Sequence, residues 1–267
     1  MIPVLVTLLD PTAEDDAIFI ASSETLQEIL SKSALSDGSG TRTLTEPLLI
    51  WLDSTGAQIV DRSVSTGEVG SISHSLCQLL VAIGDHSTSY LAMNITSQTL
   101  ISTQFAAPNS VSQQGENKTR AYFVQTFLRL MLAYTGFPGY YGIDEEESEL
   151  TLGFWYLFQE TLWSTDFYAS GEEEQTALER NGPEQVAMAR AVYFEVIKVL
   201  RRKATFPIPG SSWSKGNINL DVKRLSADHI VDQVEKFQVC VYRPKTASDV
   251  EYRNRYRRDI GDTLINA

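Results

Sequence analysis

Apolar positions recur along this chain three or four residues apart, the spacing of a helix with one buried face. After the acidic opening Glu14-Asp15-Asp16, the pattern runs through Phe19, Ser22, Leu26, Ile29 and Leu30. Thr45-Glu46-Pro47 sets a proline where a first helical turn tolerates it, ahead of Leu48, Trp51 and Leu52. Ile72, Leu76, Leu79, Leu80 and Ile83 form a third stripe, predicted to end at Gly84. Phe123, Phe127, Leu130, Met131 and Tyr134 form a fourth, and Gly136 and Pro138 just beyond it favour a stop.

The stretch that follows, GFPGYYGIDEEESELTLGFWYLFQETLW from Gly136 to Trp163, is the most aromatic of the chain. Asp144 is the predicted cap, Glu145, Glu146 and Glu147 fill a first turn, and Leu152, Trp155, Tyr156, Leu162 and Trp163 carry the helix onward. The helix dipole favours each carboxylate there by a few tenths of a kcal/mol. A second acidic run, Glu172 to Glu174, precedes a helix predicted from Val186 to Leu200 on Ala189, Tyr193, Val196, Ile197 and Leu200. Arg201, Arg202 and Lys203 then fall in its last turn, where cations are favoured.

Strand patterning is thin. Gln238 to Tyr242 alternates but stops short of Pro244. Residues 97–115, rich in Ser, Gln and Asn, and 206–219, rich in Pro, Gly and Ser, read as inserted surface loops, because helical pairs resume after each. A last helical pattern (Tyr256, Ile260, Leu264) stops without a cap, and the start at Met1 is equally abrupt, so a fragment of a longer protein is expected.

Helices of roughly 15–20 residues, in pairs about 40–50 residues apart, predict an all-α fold: a HEAT-repeat αα-superhelix, an armadillo-like solenoid, over residues 1–267 as a single segment. A single globular all-α bundle is the alternative, but it would not need loops of such different lengths.

Charge narrows the partners. Lys and Arg number 22 against 34 Asp and Glu, a formal net charge of −12. That field repels phosphate backbones and favours basic protein partners, so nucleic acid is a poor fit. Cys77 and Cys240 each lie in an apolar run and read as small buried hydrophobes. The N-terminal MIPVLVTLLDP is too short to span a bilayer and lacks a basic flank, which argues against a signal peptide or membrane anchor. Sequons at Asn94 and Asn117 come with no secretory signal, and the chain reads as intracellular.

Candidate chemistry is sparse. Acid–base catalysis needs two carboxyls converging on a cleft with separated pKa values, whereas the contiguous run from Asp144 to Glu149 points several ways into water. A calcium loop would need alternating oxygen ligands and a central glycine. The run is therefore a solvated helix start or a patch for a basic partner. Phe154, Trp155, Tyr156, Leu157 and Phe158 wrap a whole helix, which is packed core or a shallow groove between helices. His74, His86 and His229 are too scattered for a zinc site, His74 and Cys77 being a pair without further ligands. Nucleophile-elbow and phosphate-loop motifs are absent. Arg253, Arg255, Arg257 and Arg258 lie beside Asp259 and Asp262, which can pair with them. The expectation is a non-enzymatic binding protein without metal or cofactor.

Three segments carry a family resemblance: YTGFPGYYGIDEEESELTLGFWYLFQETLWS, VYFEVIKVLRRKATFP and YRRDIGDTLINA, in that order from Tyr134 to the C-terminus. Together they resemble the middle HEAT repeats of karyopherin-β (importin-β superfamily) nuclear transport receptors, the importin-13 branch in particular. The first half matches more weakly, in helix order and in the turn Gly84 to Ser87. The resemblance implies a shuttling receptor, moving between cytoplasm and nucleus, that binds basic cargo proteins, docks Phe-Gly nucleoporins and releases cargo under Ran-GTP. The N-terminal repeats that grip Ran in such receptors are not in this chain, so Ran-GTP would bind through the full-length parent. Asp144, Glu145, Glu146, Glu147, Trp155 and Tyr156 are the candidate protein-interaction residues. A Ran-independent HEAT-repeat scaffold or adaptor is the alternative reading.

Overall fold

A computed structural model describes residues 2–12, 15–32, 38–101, 118–139, 145–163 and 172–203. The described residues hold no strand, only isolated backbone bridges such as that of Leu100 with Thr119. Asp144, most of the loop at 97–115, the loop at 206–219, the alternating segment at 238–242, His229, Cys240, the arginine cluster and the last helical pattern lie outside them.

The fold is all-α, of the HEAT-repeat kind that the periodicity predicts. In order the helices are α1 (Ile2–Leu8), α2 (Asp16–Lys32), α3 (Gly38–Trp51), α4 (Ala57–Thr66), α5 (Ser71–Asn94), α6 (Arg120–Thr135), α7 (Glu147–Leu150), α8 (Leu152–Trp163) and α9 (Glu172–Lys203). A π-helical turn, Leu52–Gly56, joins α3 to α4.

The chain divides into two compact units. The first comprises Met1–Pro138 and Glu147–Ala189, the second Gly139–Glu146 and Arg190–Ala267. In the first, α5 packs against α2, α3, α4, α6, α7 and α8. The predicted apolar stripes build this core: Phe19, Leu26 and Leu30 from α2; Leu76, Leu79, Leu80 and Ile83 from α5; Phe127, Leu130 and Met131 from α6. Each such side chain stabilises the fold by about 1.5–3 kcal/mol on burial. In the second unit Tyr193, Val196 and Leu200 are buried along one side of α9, at helix spacing.

Four boundaries depart from the pattern. Gly84 does not end a helix, since α5 continues to Asn94 and kinks only at Ser87 (φ −109°, ψ 17°). The reason lies on α8: the Phe154 ring packs onto Gly84 so closely that a Cβ there would collide with it. Glycine here makes room for a neighbour instead of breaking a helix. The kink is held by a buried hydroxyl pair, Ser87 Oγ with Thr45 Oγ1 at 2.6 Å.

Pro47, expected in a first turn, sits well inside α3, which starts at Gly38. It cannot donate a backbone bond there, and the ladder is re-spaced soon afterwards in the π-turn. The helix expected from Val186 begins at Glu172, so the second acidic run lies within its first turns. Last, α4 has no predicted counterpart: it buries only Ala57, Ile59, Val60 and Ser63, too short a stripe to stand out, and ends at Gly67 in the left-handed region (φ 70°).

Candidate protein-interaction site

The acidic–aromatic stretch forms a single helical turn, α7, followed by α8 after Thr151. Two of its carboxylates were expected in water, and the structure corrects this. Glu147 is only 1% exposed. Its Oε1 lies 2.9 Å from His74 Nδ1 on α5. Gln78 Nε2 is 3.0 Å from His74 Nε2. An amide N–H donating to Nε2 puts the imidazole proton on Nδ1, where it donates to the carboxylate. His74, read from sequence with Cys77 as an incomplete ligand pair, thus orients a buried carboxylate from 73 residues away. Cys77 is buried beside it, its thiol directed at the Glu147 carbonyl at 3.8 Å.

Glu145 is buried in the second unit. Lys203 Nζ donates to its Oε1 at 2.6 Å and to the Gly139 carbonyl at 2.8 Å. This cation closes α9, so one of the three basic residues of that last turn is an internal ion-pair partner, not a surface charge. A buried pair costs desolvation of both ions, and its extra bond to a carbonyl offsets part of that cost. Glu146, between the two buried carboxylates, is exposed.

The aromatic run divides in the same way. Trp155 is 0% exposed. Its indole N–H donates to Thr135 Oγ1 at 2.8 Å. That hydroxyl lies 2.9 Å from Thr151 Oγ1. Phe154 stacks on Phe158 with centroids 5.4 Å apart and meets Phe127 of α6 edge-on at 5.6 Å. Tyr156, by contrast, is 47% exposed. Leu157 beside it, Gly153 and Glu160 a turn away on either side, and Leu150 at the end of α7 are exposed too. The helix is therefore covered over most of its circumference, as its run of large residues suggests, and open along the arc of Gly153, Tyr156, Leu157 and Glu160.

Of the six candidate residues, Glu145, Glu147 and Trp155 are buried, Glu146 and Tyr156 exposed, and Asp144 outside the described residues. Glu145 and Glu146 belong to the second unit, and Glu147, Trp155 and Tyr156 to the first. The sequence carried no signal for His74 or Lys203 as partners, because both contacts are long-range. The exposure of Leu157 and Leu150 was equally hidden, as helix period alone does not reveal which arc of an all-apolar helix has a neighbour.

Polar groups elsewhere in the first unit serve its packing. Tyr90 donates to Glu46 Oε1 at 2.9 Å, and Arg120 Nε holds the same oxygen at 3.0 Å. Burial, then the Glu46 carboxylate, raises the Tyr90 hydroxyl above its ordinary range, so it stays protonated as a donor. Tyr134 donates to the Ser73 carbonyl at 2.8 Å and is likewise raised by burial. Among the described residues no group of three or more His, Cys, Asp or Glu could hold a metal ion. No described helix is long and apolar enough to cross a membrane.

What these helices define is an all-α repeat protein in which two carboxylates of the acidic run, Glu145 and Glu147, are buried against partners. The proteins it is similar to are importins. The chain is 30% identical over 161 residues to Importin-13 of Homo sapiens and of Mus musculus, each match covering 57% of this chain. Identity to Importin-13 of Gallus gallus is 29% over the same length. The chain spans 12% of the length of each of these relatives. No family model matches it. The likeness supports an importin-like relationship at the level of the superfamily.

Proposed function

We propose that residues 1–267 are a HEAT-repeat segment of an importin-β-like nuclear transport receptor, with inserted loops at 97–115 and 206–219. The observation that carries this reading is the 30% identity to Importin-13 over 161 residues, on a chain whose described residues are helical pairs. Such a segment is not an enzyme. It contributes binding surface to a longer molecule that shuttles between cytoplasm and nucleus, takes up cargo proteins and passes the pore on Phe-Gly nucleoporins. Ran-GTP and import cargo bind opposed conformations of that molecule, and linkage makes their antagonism reciprocal. A net charge of −12 favours basic cargo. Glu146 and Tyr156 are the exposed candidates among the described residues of the acidic–aromatic stretch, and Asp144 stands as a candidate with them.

The test is a capture experiment from cell extract with the longest polypeptide that carries this chain, with and without Ran locked in its GTP state. A defined set of proteins held without Ran-GTP and shed on its addition supports the receptor. Partners held equally in both conditions, with no Ran captured, would replace it by a Ran-independent HEAT scaffold.

A further inference from the structure

Among the described large apolar side chains, Phe194 of α9 is the most exposed, at 65%. Its surroundings run against the charge of the whole chain. Arg190, Ala191, Phe194, Lys198, Arg201 and Arg202 are all exposed and follow one another at helix spacing, so they share a face of α9 within the second unit. Arg190, Lys198 and Arg202 thus flank one aromatic ring, beside Arg201, which has a partner of its own. The only acidic residue between Arg190 and Arg202 is Glu195, which pairs with Lys198 at 3.2 Å.

An exposed Phe costs solubility and contributes nothing to the buried side of α9, which Tyr193, Val196 and Leu200 supply. Phe and Arg together are the composition of protein-interface centres, where an aromatic anchor fills a partner's pocket and guanidinium groups hold carboxylates in a bidentate fork. Ala191, one turn before Phe194, leaves the ring approachable from that side. A nucleic acid could use the same residues for stacking and phosphate contact, but long-range attraction of a polyanion is opposed by the net charge of −12. A short acidic segment is held by local contacts and escapes most of that repulsion, which is screened beyond about 8–10 Å at ordinary salt.

We propose that the face of α9 from Arg190 to Arg202 is a docking site for an acidic protein segment carrying an apolar anchor, with Phe194 at its centre. The site is independent of the transport reading and opposite in sign to the basic partners that the net charge favours.

The test is fluorescence anisotropy of a labelled acidic peptide of about twelve residues, Asp and Glu with two central leucines, titrated with the full chain at low and moderate salt. Phe194→Ala and the double variant Arg190→Glu/Arg202→Glu should each weaken binding about tenfold or more, Phe194→Leu about threefold or less, and added salt should weaken the wild type but not the double variant. Circular dichroism and the urea midpoint show that each variant is folded, and Arg190→Gln/Arg202→Gln replaces any charge reversal that is not. Binding of a neutral peptide with the same leucines as tightly as the acidic one overturns the proposal, as does an unchanged affinity in Phe194→Ala. Tighter, Phe194-dependent binding of a thymidine oligonucleotide overturns it in favour of a nucleic-acid site.

Discussion

Helices α8 and α9 invert each other. In α8 a conspicuous aromatic cluster is mostly internal, with Phe154, Trp155 and Phe158 buried and Tyr156 and Leu157 turned outward. In α9 an inconspicuous pattern presents its phenylalanine to solvent and buries a lysine, Lys203, against Glu145. Residue type alone would put the aromatics inside and the cations outside in both. What separates them is the presence of a neighbour: α8 packs against α5 and meets Phe127 of α6, whereas Phe194 of α9 reaches solvent. Conspicuous composition is thus a poor guide to a binding surface, and an exposed anchor in a plain helix is a better one.

Breaking the buried members should cost most. Lys203→Met leaves the Glu145 carboxylate without its cation and should destabilise the second unit by about 3–5 kcal/mol, with the double change Glu145→Leu/Lys203→Met recovering most of that in urea unfolding. Trp155→Ala removes a fully buried indole and leaves Thr135 without its donor, a loss of about 3–5 kcal/mol on the same measurement. If either variant unfolds like the wild type, the assignment of those side chains to the interior is wrong.

Smaller effects sharpen the contrast. Gly84→Ala forces a methyl into the Phe154 ring and should cost about 1–3 kcal/mol, read from the thermal midpoint and relieved in combination with Phe154→Leu. His86 gives a pH dependence: burial pushes its imidazole below the ordinary 6.5, so the unfolded chain takes up the proton first. Stability should therefore be complete above about pH 7 and fall as the pH drops through 6.5, until the folded form is protonated as well; His86→Gln should flatten the decline. Smallest of all, Tyr156→Ala and Phe194→Ala should each cost about 1 kcal/mol or less in urea unfolding, because both side chains reach solvent. A loss at either position as large as that at Trp155 would end the distinction between the two helices.

Much of the fold was legible in the chain, since Phe19 to Leu30, Ile72 to Ile83 and Phe123 to Tyr134 are stripes whose period alone calls for helices with one covered face. The misses have local causes. Gly84 carries the residue type of a stop signal and serves a packing contact that only Phe154 explains. The short stripe of α4 gave no period to read. The candidate site was legible only in part: Glu146 and Tyr156 are exposed, but the burial of Glu145 and Glu147 depends on Lys203 and His74, 58 and 73 residues away.

By itself the sequence determined the all-α class, the main helices and a resemblance to importins, because apolar period and motif order are properties of neighbouring residues. Tertiary structure alone decided which carboxylates are ion-pair partners, which glycine is a contact and which aromatic meets solvent. Those depend on what stands opposite each side chain, and no local pattern encodes the identity of a neighbour dozens of residues away.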